Sequence, residues 1–206
     1  MTTPSARTLA YYEANATPFW EGTRDHDVTQ NYDALLGAIE RPPPCAILDF
    51  GCGPGRYLAH FRSLGHEAVG LDGCASFCAM ARAHSGCEVL QQDFLSLDLP
   101  ARRFDGVFAN ASLFHVPTAR LPQVLRALRA ALVPRGVLFA SNPRGHNEEG
   151  WNGDRYGAHW DLERWRELVG RAGGFEEVAH YYRPAGKPRD QQPWLATVWR
   201  NVGVGA

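Results

Sequence analysis

The chain has 206 residues, 45% of them hydrophobic, and its 21 basic and 22 acidic side chains leave a net charge of -1 at pH 7. That length suits a single domain able to bury about 70% of its unfolded surface, and basic residues scattered at near-zero net charge exclude the basic face that nucleic-acid binding requires. Cys45, Cys52, Cys74, Cys78 and Cys87 are odd in number and lack paired C-x-x-C spacing, which argues against a zinc site or a disulfide framework. No apolar run approaches ~20 residues and no leader-like h-region opens the sequence, so the expectation is a cytoplasmic chain with reduced thiols and no membrane partner.

From Arg7 to Trp20, the residues Leu9, Tyr12, Ala16, Phe19 and Trp20 fall near helical spacing; this aromatic segment either packs on the core or closes over a site as a lid. A further helical pattern (Tyr32, Leu35, Leu36, Ile39) stops at Arg41-Pro42-Pro43-Pro44, because successive prolines remove donors and restrict the residues before them. Ala46–Leu48 then reads as a buried parallel strand running into Asp49, followed by the alternate glycines Gly51, Gly53 and Gly55 and, at once, a helix (Tyr57, Leu58, Phe61, Leu64). Strand, glycine turn and helix form the nucleotide-binding entry of a doubly wound sheet. The dinucleotide fingerprint needs Gly or Ala at its sixth place, where this chain has Arg56, so a nicotinamide enzyme is disfavoured.

Glu67–Asp72 predicts a second strand, with Asp72 at its tip either accepting from ribose hydroxyls or capping the helix predicted over Cys74–Ala83. Cys87–Leu90 predicts a third strand leading to Gln92, Asp93 and Phe94, and Phe104–Asn110 a fourth. Ligands bind outside the carboxyl ends of such strands, which directs Asn110 and the following stretch to His115 at the site. There His115 is either a proton acceptor or a pocket brace. An amphipathic helix over Leu121–Leu132 ends at Pro134, and Gly136–Ala140 makes a fifth strand. Residues 142–160 are polar, aromatic and punctuated by glycine. Loops above about 12–15 residues in a compact domain are usually functional, so this one reads as a substrate loop or as a loop stapled by its own rings. It offers Arg144 to a carboxylate, Glu148 or Asp154 to an ammonium group, and His146, Tyr156 or His159 to proton transfer. A helix from Asp161 and two strand-like runs, Phe175–Tyr182 and Trp194–Trp199, close the chain.

The ordered stretches ILDFGCGPG, VGLD, QQDF and FDGVFANASLFHVP, with the closing pair of strands, resemble class I S-adenosylmethionine-dependent methyltransferases over essentially the whole length. The resemblance implies an α/β, doubly wound, Rossmann-like seven-stranded sheet ending in an antiparallel hairpin, as one domain over residues 1–206 with an N-terminal helical lid over residues 1–40. It also implies S-adenosylmethionine as cofactor, S-adenosylhomocysteine as product, and a cofactor site from Tyr11, Trp20, Arg24, Asp49, Gly51, Gly53, Asp72, Gly73, Gln92, Asp93, Phe94 and Asn110. More narrowly, FWEGTRDHDVTQN, SNPRGHNEEGWNGDRYG and YYRPAGKPRDQQPWLA resemble the C-terminal methyltransferase domain of ovothiol synthases, which methylates an imidazole nitrogen of 5-thiohistidine. That implies a small-molecule acceptor (or its selenium or betaine analogue) held by Phe19, Asn142, Arg144, Asn147, Trp151, Asn152, Tyr156 and Arg189, with His115, His159, Tyr156 and Asn110 as catalytic candidates and no metal. The iron-dependent sulfoxide synthase part of the fused relatives is missing, which implies a separate enzyme as supplier of the acceptor. Rival expectations are a methyltransferase for a quinone, thiol or metalloid acceptor, and a cofactor-binding module without catalysis.

Overall fold

The computed structural model describes residues 4–203, so of the expected lid residues 1–3, and of the expected domain also 204–206, lie outside the described residues. The N-terminal segment forms not one helix but two, α1 (Pro4–Ala14) and α2 (Ala16–Thr23), broken at Asn15, whose side chain donates back to the Tyr11 carbonyl at 2.8 Å. They are followed by α3 (Thr29–Ala38), β1 (Ala46–Phe50), α4 (Arg56–Ser63), β2 (Glu67–Asp72), α5 (Ala75–Ser85), β3 (Glu88–Gln91) and β4 (Phe104–Asn110). The second half comprises α6 (Leu121–Ala131), β5 (Leu132–Pro143), β6 (Glu148–Asn152), β7 (Arg155–His159), α7 (Leu162–Ala172), β8 (Phe175–Arg183) and β9 (Trp194–Asn201).

Seven strands form one sheet in the order β3-β2-β1-β4-β5-β9-β8. The pairs from β3 to β5 are parallel, and β9 runs antiparallel between β5 and β8. This is the seven-stranded sheet with a terminal hairpin that the sequence implied. Alternation along the strands divides the core. Leu48, Phe50, Val107 and Leu138 pack with Leu125 and Leu128 of α6 and Trp165 and Leu168 of α7. Ile47, Phe108 and Phe139 pack on the other side with Leu35 of α3, Leu58 and Phe61 of α4 and Ala81 of α5. Helices therefore cover both faces, as a parallel sheet requires.

Two elements depart from the sequence reading. β5 starts at Leu132 rather than Gly136, and its pairing with β4 shifts register between Phe104 and Gly106, an irregularity that lets Pro134 and the positive φ of Arg135 sit near the strand's start. The expected loop over 142–160 is instead largely an antiparallel hairpin, β6 against β7, turning at Gly153 with φ +59. A glycine in the first central position of a two-residue turn allows the backbone to match the strand twist, so these residues gain a ladder of their own.

The glycine turn after β1 depends on Gly55, which has φ +90 and packs so closely on α5 that an added Cβ would lie 2.7 Å from Ala81 Cα. Gly55→Ala should lower stability by at least about 2 kcal/mol, from left-handed strain plus displacement of α5. A urea midpoint unchanged from wild type would remove Gly55 from that role.

Candidate active site

The parallel strands end together beneath α1 and α2, and a cavity of about 610 Å³ opens there, within the usual range for a small-molecule site. Its floor includes Gly51, Gly53, Asp72, Asp93, Asn110 and Ser112, and its roof includes Thr8, Leu9, Tyr12, Phe19 and Trp20. The roof is tied down at several points. Ser5 Oγ donates to Asp93 at 2.5 Å, the Tyr156 N–H donates to Thr8 Oγ1 at 2.9 Å, and Arg7 pairs with Asp154 at 2.7 Å while lying over the Trp151 ring.

Asp72 receives the N–H groups of Gly53 at 3.0 Å and Cys74 at 2.9 Å, so it holds both the glycine turn and the start of α5. Burial outweighs those bonds and pushes its pKa up to about 6. Asp49, behind the turn, is 1% exposed, and neither of its oxygens has a partner; burial first and the charge of Asp72 second raise its pKa, which favours the protonated acid. The other unpartnered buried polar atoms include Ser112 Oγ, Ser141 Oγ and Asn142 Oδ1. They stand with Asp49 at the carboxyl ends of β1, β4 and β5. Ser112 and Ser141 line the cavity, while Asp49 and Asn142 lie behind its wall; buried polar groups are normally satisfied, so the two spare hydroxyls fit a polar ligand there.

Asn110 is held on both sides, donating to Tyr57 Oη at 2.7 Å and accepting from Asn31 Nδ2 at 2.7 Å. Asn31 in turn accepts from the Tyr181 hydroxyl at 2.8 Å. The amide has nothing to titrate and is largely committed to this network, which fixes its place in the cavity wall.

His115 supplies a proton acceptor. Its Nδ1 lies 2.6 Å from the Tyr156 carbonyl oxygen, which can only accept, so Nδ1 carries the proton. Nε2 is then the free base, and it accepts the Tyr12 hydroxyl at 2.8 Å. Burial pushes the His115 pKa down to about 4, so the ring is neutral at physiological pH. Arg155 donates to the same Tyr12 hydroxyl; burial raises the Tyr12 pKa, and the Arg155 bond and charge oppose that rise. Arg155 was not singled out from the sequence, and Tyr12 only as one aromatic residue of the segment expected to pack on the core or close over a site.

The depressed His115 pKa has a measurable consequence. An unfolded chain protonates this ring near 6.5 and the folded chain only near 4, so its contribution to stability is complete above pH 6.5 and lost as pH falls toward 4. The unfolding free-energy difference between wild type and His115→Gln should therefore move in favour of wild type by roughly 3 kcal/mol as pH rises from 4 to 6.5. Denaturant titrations at the two pH values check it, and a constant difference refutes it. Asp72, with its raised pKa, has the opposite sign in both proteins and cancels from the comparison.

Of the remaining sequence candidates, Phe19, Trp20, Gly51, Gly53, Gly73, Asp93 and Phe94 line the cavity, with Phe94 stacked on Phe50 at 4.3 Å. Others do not line it, and their polar groups are committed elsewhere. Arg144 donates to the carbonyls of Gln192 at 3.1 Å and Arg189 at 2.6 Å, and Arg189 lies over the Tyr182 ring. Asn147 exchanges hydrogen bonds with Asp161, whose carboxylate also caps α7 by accepting from the Arg164 N–H. His159 pairs with Glu148 at 3.4 Å, Gln92 bonds both backbone groups of Asp98, and Arg24 is exposed beside Asp25. Tyr11 packs edge-on against Tyr12. Trp151 and Asn152 are exposed on β6, and Asn142 is buried without lining the cavity. Tyr156 contributes its backbone, with its ring against Trp151 and its hydroxyl bonded to Glu149. In the structure these positions brace the surrounding loops and hairpin outside the cavity lining.

Residues 47–136 match the model of a methyltransferase-domain family. Trans-aconitate 2-methyltransferase of Azoarcus sp. (strain BH72) is 35% identical over 119 residues, which are 55% of this chain and 45% of that protein. The probable tRNA methyltransferase 9B of Bos taurus is 35% identical over 101 residues, 48% of this chain and 22% of the relative. The chain thus spans less than half the length of these relatives. Among solved structures, the Burkholderia thailandensis 1,6-didemethyltoxoflavin-N1-methyltransferase, with bound 1,6-didemethyltoxoflavin and S-adenosylhomocysteine, superimposes with a TM-score of 0.80 at 21% identity, covering 98% of this chain and 92% of that one. Sheet order and glycine turn are those of the class I S-adenosylmethionine-dependent methyltransferase fold, and residues 47–136 carry the match to the methyltransferase-domain family. No helix among the described residues is long and apolar enough to cross a membrane.

Proposed function

We propose that the chain methylates an imidazole ring nitrogen of a 5-thiohistidine-type small molecule. The observation that carries this reading is the neutral Tyr12–His115 pair facing a cavity walled by all three stretches that resemble the ovothiol-type domain. Phe19, Trp20, Thr23, His26, Asp27 and Val28 come from the first, Ser141 and Arg155 from the second, and Arg183, Pro184 and Trp194 from the third. Asp72, the glycine turn, Asp93 and Phe94 are the residues that would hold the cofactor.

S-adenosylmethionine, when bound, supplies a methyl group that its sulfonium has already made electrophilic. The chain's task is then to hold an unprotonated ring nitrogen in line at about 3–3.5 Å, and to receive the proton the ring sheds. Tyr12 takes that proton on its oxygen while passing its own to His115 Nε2; the resulting imidazolium is steadied through Nδ1 by the Tyr156 carbonyl. A sulfoxide synthase followed by cleavage of the sulfoxide's outer C–S bond is the class of reaction sequence that would provide the thiol.

Mass spectrometry of purified protein incubated with S-adenosylmethionine and 5-thiohistidine, beside histidine and histidine betaine, tests the reading. Methylated thiohistidine together with S-adenosylhomocysteine is the expected result. No product from protein that still binds S-adenosylhomocysteine returns the acceptor to the wider class of small molecules.

A further inference from the structure

Three guanidinium groups line the cavity, those of Arg56, Arg155 and Arg183. Arg56 is consumed: it donates to the Thr23 and His26 carbonyls and to Tyr57 Oη, fastening the α2–α3 connection. Arg183 donates to the Asp27 carbonyl at 2.8 Å, fastening the same connection from β8. Arg155 is different. Among the described residues it pairs with no carboxylate and no carbonyl; it touches only the Tyr12 hydroxyl and the Tyr11 ring, whose centroid is 5.2 Å away. Its position is nonetheless fixed, because it opens β7 opposite Asn152 and the next residue's N–H is held by Thr8 of α1.

A half-buried guanidinium that is placed by the fold yet left with spare donors is a site for an anion. Guanidinium matches carboxylate geometry with paired bonds, each stronger than a neutral hydrogen bond. The cavity's own carboxylates are engaged elsewhere: Asp72 with Gly53 and Cys74, Asp93 with Ser5 and the Leu95 N–H at 2.8 Å, and Asp27 with the Thr29 N–H at 2.9 Å. The geometry points to Arg155 as the residue that selects acceptors bearing a carboxylate, seating that group beside the Tyr12 hydroxyl. This deepens the proposed function, on which the identity of the acceptor ring rests. The same contact orients the acceptor, because a carboxylate fixed at the start of β7 leaves the remainder of the molecule to lie between the Tyr12–His115 pair and the glycine turn. It also rejects carboxylate-free analogues, which leave the guanidinium desolvated and unpaired.

The test compares 5-thiohistidine with its carboxamide on wild type, Arg155→Gln and Arg155→Lys. Wild type should favour the acid by about 10- to 100-fold in kcat/KM, mostly through KM. That ratio should collapse toward one in Arg155→Gln and return in part in Arg155→Lys. A purely structural Arg155 would lower turnover of acid and amide alike and leave the ratio intact, which would overturn the inference. A separate arm does not depend on the thiohistidine reading: thermal melting of S-adenosylhomocysteine-saturated protein with imidazole-4-acetate or imidazole-4-acetamide. A Tm increase from the acid alone, absent in Arg155→Gln, supports Arg155 even if neither thiohistidine compound is methylated; equal shifts from both, or none from either, overturn it.

Discussion

Tyr12→Phe should lower kcat by about 10²–10⁴-fold while leaving affinity for S-adenosylhomocysteine near that of wild type. The ring makes the packing contacts: Tyr12 lies edge-on to Tyr11, Phe19 and His115 and tilted against Phe77, and phenylalanine keeps all of these. Only the hydroxyl is lost, and with it the link between the cavity and His115 Nε2. His115→Gln should fall in the same range, and the double variant should be little worse than either single one, because both substitutions cut the same proton path. A neutral His115 down to about pH 4 further requires that the activity of wild type should not decline through pH 6.5 on account of this ring. Single-turnover rates with bound acceptor decide the matter. Full turnover in Tyr12→Phe would show that the ring proton leaves by another route.

The sheet was legible because its signals are local. A buried apolar run ending in an acid, then alternate glycines, leaves few options for residues 46–55, and β4 lies where the sequence placed it, over Phe104–Asn110. The terminal strands were equally clear, since two β-rich runs flank a segment rich in proline and glycine. What escaped was decided by long-range geometry. Tyr12, His115 and Arg155 stand on α1, the turn after β4, and β7, and nothing local marks them as neighbours. Arg144 and Arg155 look alike in sequence. One is spent on the carbonyls of Gln192 and Arg189, the other faces the cavity, and only the folded backbone separates the two cases. The β6–β7 hairpin did leave a trace in the Gly153-Asp154 pair at its turn, which was obscured by the density of polar residues on exposed β6.

Asp72→Ala should weaken S-adenosylhomocysteine binding by roughly 10- to 100-fold, from loss of charge-assisted bonds to the ribose hydroxyls. The carboxylate already accepts from Gly53 and Cys74, so its loss also loosens the turn that closes on the ligand. pH separates these two contributions. With a pKa near 6 in the free protein, Asp72 is protonated in part of the population below that value, and a ligand that donates two hydroxyl hydrogens requires the ionised form. Affinity in wild type should therefore be flat above pH 6 and fall below it, approaching tenfold per unit, with proton release on binding. Asp72→Asn keeps an acceptor for the turn but has nothing to titrate, so its weaker affinity should lack that break. Calorimetry at pH 5, 6 and 7.5 in buffers of differing ionisation enthalpy reads both the affinity and the released proton. Equal affinity in wild type and Asp72→Ala at pH 7.5 would take Asp72 out of the cofactor site and leave it only its part in holding Gly53 and Cys74.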